Sequence, residues 1–216
     1  MKANNTVLKG LLSCGILASL LYIATDLITA MVFYPGYNYT SQQVSELSAF
    51  GAPTRIFWIV MSSIWTPLVI AFGIGVWIVA GRKYTMRLTG ILLIVWGIIG
   101  FVWMFFPMHP PGTVGIKADV MHIALAAVQV LVMILFISLG AAAQRQAFRF
   151  YSIGTIVAIL IFGALISRKA SVIAEGQTTP WMGIIERVSV YLPLLWVIML
   201  ALVLLRTHTK HDINLD

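Results

Sequence analysis

Charge and cysteine are both scarce in this chain, and each shortage excludes something. Of 216 residues, 10% are charged and only seven are acidic. A soluble domain of this length needs a polar surface that such a composition does not supply. The one cysteine, Cys14, rules out an intrachain disulfide. No Gly-rich phosphate loop, paired CxxC, HExxH or GxSxG occurs. The common signatures of nucleotide, zinc and nucleophile-elbow sites are therefore missing. The net charge of +7 comes with no aromatic–basic surface, so no nucleic-acid partner is expected.

What is abundant is apolar sequence. Sixty per cent of the residues are hydrophobic, and the mean hydropathy is +0.96. Six long apolar stretches, at about 7–33, 56–80, 88–106, 118–142, 150–167 and 182–205, are each long enough to cross a bilayer. The expectation is an all-α polytopic membrane protein, a six-helix bundle forming one transmembrane domain. Leu11-Leu12-Ser13-Cys14 faintly resembles a lipoprotein cleavage box. The apolar run before Cys14 is too short and the run after it too long, so an uncleaved first span is expected. Pro67 and Pro193 fall within spans and predict kinks.

Basic residues are unevenly divided between the two ends of these spans. Lys2, Lys9, Arg82, Lys83, Arg87, Arg145, Arg149, Arg206 and Lys210 fall on one side; Arg55, Lys117, Arg168, Lys169 and Arg187 fall on the other. The positive-inside rule makes the first side cytoplasmic, with both termini there. A multi-pass protein of a prokaryotic plasma membrane, in contact with membrane lipids, is the resulting expectation. Lys9–Gly15, Arg87–Gly90 and Arg149–Gly154 open the odd spans in a similar way, as a repeated hairpin would. Ala71 and Gly75 form a small-xxx-small pair suited to close helix packing.

The acidic and histidine residues are more telling. Asp26, Ser45, Glu46, His109, Asp119, His122, Glu186 and Arg187 all map near the predicted outer boundary, from several spans and loops. Asp26 lies within the first span, where a carboxylate costs about 2.5–3.5 kcal/mol and so calls for a partner or a function. Arg187 suits that partnership, or pairing with Glu46; it could also clamp an anionic group or snorkel. Glu186 beside it points about 100° away on a helix and needs a different partner. Asp119 and His122, at i and i+3, share a helix face. An Asp orienting a His, or two ligands of one zinc ion completed by His109, would use that spacing. Helix capping by Asp119 and an interfacial role for His122 explain it equally. Ser45 could be a nucleophile if His122 or His109 came within reach; capping of a short helix, with Glu46 solvated, is the plainer alternative.

Several segments also resemble an uncharacterised prokaryotic membrane family, domain of unknown function 998. They are Tyr34-Pro35-Gly36-Tyr37, Val44-Ser45-Glu46-Leu47-Ser48-Ala49, Phe106-Pro107-Met108-His109, His122, and Gly183-Ile184-Ile185-Glu186-Arg187. The family usually reads Ser-Glu-Leu-Gly where this chain has Ser48, and often carries an acid soon after Phe-Pro where this chain has Met108-His109. The resemblance implies a six-helix membrane fold and no established activity. Three functional readings stay open. One is an accessory or structural subunit, or a ligand-binding one, with the polar cluster as interhelical glue. Another is a membrane hydrolase of lipid-linked substrates, with Ser45, Glu46, His122 and Asp26 as catalytic candidates and Arg187, Glu186 and His109 binding substrate. The last is a small-solute or proton-coupled transporter.

Overall fold

The computed structural model describes residues 5–110, 117–169, 172, 175, 177 and 179–213. Six long helices account for most of them: α1 (Asn5–Ile28), α2 (Arg55–Val79), α3 (Tyr84–Trp103), α4 (Lys117–Ala142), α5 (Gln146–Arg168) and α6 (Met182–Ile213). All six contain apolar segments long enough to cross a membrane, and no strand occurs among the described residues. In hydrocarbon every backbone N–H and C=O must find an internal partner, and a helix provides them all within one segment. This is an integral membrane protein.

The helix ends differ from the hydropathy boundaries for a simple reason. Hydropathy marks the apolar part of a helix, whereas the hydrogen-bonded helix continues into the polar interface. Thus α3 starts at Tyr84 and α5 at Gln146, taking Arg87 and Arg149 into their first turns. At its other end α3 stops at Trp103 and unwinds through short turns before Pro107. Pro67 and Pro193 sit inside α2 and α6 without ending them. α1 passes into a π-helical turn, Thr29–Phe33, where the Thr29 hydroxyl bonds back to the Thr25 and Asp26 carbonyls.

Each helix packs on its neighbour in chain order, α6 returns to α1, and α4 also touches α6 across the bundle. The core is joined by aromatic rings. Tyr22 meets Trp65, Trp65 meets Trp96, Trp96 meets Phe136, and Phe136 meets Trp196. Trp196 is fully buried, and its indole N–H donates to the Ser152 hydroxyl at 2.9 Å. Glycines let the helices approach. A Cβ on Gly73 would lie 2.8 Å from the Gly90 carbonyl oxygen, and a Cβ on Gly90 would lie 2.7 Å from that of Gly73. Gly75, one member of the Ala71–Gly75 pair, lies against Leu11 of α1. Of the three glycines in the apparent repeat, Gly15 and Gly90 face neighbours, while Gly154 has nothing within 4 Å.

A second, smaller core lies under the connection between α1 and α2. Ala30, Val44, Leu47 and Trp58 are buried there, with Tyr22, Tyr34, Tyr37 and Tyr39 packed against them. It seats the 34–54 loop on the end of the bundle.

Candidate functional site: a buried arginine clasp beneath the first loop

The loop is built from local turn chemistry. Gly36 takes a positive φ of 79° and the Tyr37 amide closes a turn onto the Tyr34 carbonyl, as Pro-Gly at the middle of a tight turn favours. The Asn38 side chain accepts from the Thr40 and Ser41 amides. A short 3₁₀ helix follows, Val44–Ser48. Its Glu46 carboxylate accepts the Gln43 amide and the Gln42 side-chain amide, both at 2.8 Å. Glu46 is therefore a capping group, and Ser45 lies within the helix rather than at its start. The Thr54 hydroxyl ties the far end of the loop to the Leu47 carbonyl.

Arg187, in the second turn of α6, fastens this loop to the bundle. Arg187 is buried, 2% exposed, and Asp26 is fully buried. The guanidinium grips the carboxylate with two hydrogen bonds, Nε to Oδ2 at 2.9 Å and Nη2 to Oδ1 at 3.0 Å. The remaining donors face the loop. Nη1 reaches the Tyr39 carbonyl at 2.8 Å and those of Gln42 and Gly183 at 3.2 Å; Nη2 reaches the Tyr37 hydroxyl at 2.9 Å. The Tyr39 ring lies 3.7 Å from the guanidinium carbon, close enough for cation–π attraction. Tyr191, one turn further along α6, donates its hydroxyl to Asp26. Burial pushes the Tyr37 phenol above its ordinary range, against the opposing pull of Arg187. Glu186 takes the different partner its helical position requires, accepting the Val44 amide at 2.5 Å.

The other candidates form a separate pair of contacts. The Asp119 carboxylate accepts the His109 amide at 2.9 Å and lies 3.1 Å from His109 Nδ1. The His109 ring stacks on Phe50 at 4.4 Å between centroids. His122 places Nδ1 2.8 Å from the Phe106 carbonyl, with its ring edge-on to Trp103 at 4.7 Å. Asp119 thus meets His109, while the His122 ring is hydrogen-bonded to the Phe106 carbonyl. Among the described residues, no three His, Cys, Asp or Glu side chains gather as metal ligands would. The zinc trio of His109, His122 and Asp119 does not fit an ion in this arrangement. The Nδ1 contacts of both histidines go elsewhere than Ser45, and among the described residues no hydrogen bond joins Ser45 to either ring.

The geometry brings together Asp26, Arg187, Glu186 and Glu46, and adds members that sequence reasoning missed: Tyr191, Gly183, and the Tyr39 and Gln42 carbonyls. Tyr191 had a signal, its i+4 spacing from Arg187. The carbonyls had none, since every residue carries one.

No curated protein and no solved structure matches the chain. A family model does, described as a protein of unknown function, DUF998, and it matches residues 16–203. That match runs from α1 into α6 and takes in both halves of the clasp, and the chain belongs to the DUF998 family.

Proposed function

We propose that the chain is an accessory membrane protein whose working part is the 34–54 loop, held as a fixed surface by the Arg187–Asp26 clasp. The observation that carries this is the saturation of Arg187. A guanidinium has five N–H donors, and protein acceptors on α1, α6 and the loop already surround all three of its nitrogens. A substrate anion would have to displace one of them. A group so enclosed serves to hold three segments together.

In this reading the loop lies on the extracytoplasmic side of the cell membrane, with both termini cytoplasmic. Lys9, Arg82, Lys83, Arg87, Arg145, Arg149 and Arg206 gather at the far end of the bundle, and that asymmetry supports the orientation. At the loop end stand Arg55, Lys117, Arg168, Lys169 and Arg187, of which Arg187 is consumed in its pair and Arg55 donates to the Ser48 carbonyl. Membrane lipids are the surrounding partners, as exposed apolar side chains such as Ile56, Met31 and Phe150 require. In a Cys14→Ser background, cysteines at Thr40 and Lys83 should label from opposite sides; labelling from one side overturns the orientation.

The clasp itself is tested by replacement. Asp26→Leu and Arg187→Met alone each strand a buried charge, whereas the two together remove both charges and still leave the Tyr39 and Gln42 carbonyls without their donor. Each single variant should lose thermal stability and protection of the 34–54 loop from proteolysis, and the double variant should regain stability only in part and the loop's protection not at all. A double variant whose loop is fully protected would mean that the Arg187 contacts do not hold it, and the reading would fall.

A further inference from the structure

At the opposite end of the bundle lies a pocket of about 240 Å³ between α2, α3, α6 and the α4–α5 turn. Its inner wall is apolar, with Met86 and Leu204 both buried. Its rim is polar and basic, formed by Lys83, Gln144, Thr207 and His208. We infer that this pocket holds the headgroup of an anionic phospholipid from the adjacent leaflet.

The neighbouring basic residues separate into committed and available ones. Arg149 caps the carboxyl end of α4, donating to the Ala141, Ala142 and Gln144 carbonyls. Arg87 lies over the Trp77 ring. Lys83 is exposed at the pocket, and among the described residues no carboxylate pairs with it. It is also the N-cap residue of α3, with extended backbone and no side-chain cap, so the positive end of that helix adds to its field. Among the described residues, no carboxylate lines the pocket.

The donor set matches the ligand class. Lys83 and the Gln144 amide can donate to phosphate oxygens, and His208 adds a ring N–H. Thr207 already donates its hydroxyl proton to the Val203 carbonyl at 2.8 Å. It therefore offers the pocket an acceptor, which a hydroxyl on the headgroup can use. The apolar wall beside the rim suits the start of an acyl chain. Basic pockets between membrane helices bind anionic headgroups by this combination of charge and an apolar neighbour. The inference rests on neither the clasp nor the proposed orientation, because in a mixed micelle the lipid reaches both ends of the bundle.

The test uses the full chain purified in mixed micelles with equal phosphatidylcholine and phosphatidylglycerol, read by native mass spectrometry. Wild type should retain phosphatidylglycerol several-fold over phosphatidylcholine. Lys83→Gln combined with His208→Gln should bring retention to parity, as should Gln144→Leu in part, while Arg55→Gln at the other end keeps the preference. Circular dichroism and melting confirm that each variant remains folded. Parity in wild type, or an unchanged preference in the Lys83/His208 variant, would overturn the assignment. So would displacement of the lipid by inorganic phosphate but not by chloride at matched ionic strength, since the free anion would then be the ligand.

Discussion

Asp26 and Arg187 stand 161 positions apart in the chain, yet their side chains meet through two hydrogen bonds in a site sealed from solvent. Breaking such a pair by removing one charge leaves the other buried and alone, which costs about 3–5 kcal/mol. Asp26→Asn and Arg187→Gln should each lower stability on that scale in detergent melting. Arg187→Lys should fare little better, because an ammonium cannot make the forked contact while also reaching the Tyr39 carbonyl. A loss well under 1 kcal/mol for all three would show that the pair is not a fastening.

Gly183 is the position at which the loop sits closest to α6. A Cβ there would run into the carbonyl oxygens of Gln42 and Tyr39, the same oxygens that Arg187 holds. Gly183→Ala should therefore lift the loop, and crowd Arg187 Nη1 beside it, without removing a charge, at about 1–3 kcal/mol, the usual cost of overpacking. Limited proteolysis should show faster cleavage within residues 34–54. Unchanged cleavage would mean that the loop is held elsewhere.

Much of this was legible in the chain, and what escaped did so for physical reasons. The six spans follow from hydropathy, and Asp26 announced itself as a charge within one of them. Arg187 had two possible acids. Glu46 instead caps its own 3₁₀ helix, leaving Asp26 as the partner, and helical periodicity alone does not decide between them. Asp119 and His122 share a face by spacing, but spacing does not say which way an imidazole turns. His122 turned back to the Phe106 carbonyl, and His109 came to Asp119 from the preceding loop. The clasp's remaining acceptors are backbone carbonyls placed by the fold of the loop.

Tyr37 gives the clasp a dependence on alkaline pH. Burial raises its proton affinity in the folded state above that of the unfolded chain. Stability from this source is complete below the ordinary tyrosine value of about 10. It is lost as pH rises through that value toward the raised one, because the unfolded chain releases the proton first. Tyr37→Phe should be less stable at neutral pH, for want of the Arg187 contact, yet lose less as pH is raised. Melting temperatures of both forms from about pH 8 to 11 make the comparison; parallel curves would remove Tyr37 as the cause.

In the aromatic core, Ser152 accepts the Trp196 indole N–H and passes its own proton to the Phe148 carbonyl. Ser152→Ala leaves a fully buried N–H unpaired and should cost about 1–3 kcal/mol. Trp196→Phe loses the donor as well as the larger ring, so Ser152→Ala added to it should cost much less than it does alone. Equal costs in the two backgrounds would show that the hydrogen bond contributes nothing.

The histidine pair allows a last test, on zinc. A tetrahedral site needs three or four ligands converging on one point. Here His122 Nδ1 faces the Phe106 carbonyl while His109 Nδ1 faces Asp119. The geometry therefore predicts that zinc leaves the melting temperature of the wild-type chain unchanged. The measurement is sensitive enough to decide, since an ion at a hundred times its dissociation constant would add about 2.7 kcal/mol. His122→Leu should be destabilised by about 1–3 kcal/mol, because the Phe106 carbonyl loses its donor, and equally so with and without the metal. If zinc raises the melting temperature of the wild type and the gain disappears in His122→Leu, the two histidines rearrange around an ion, and the separate contacts described for them are not the working state.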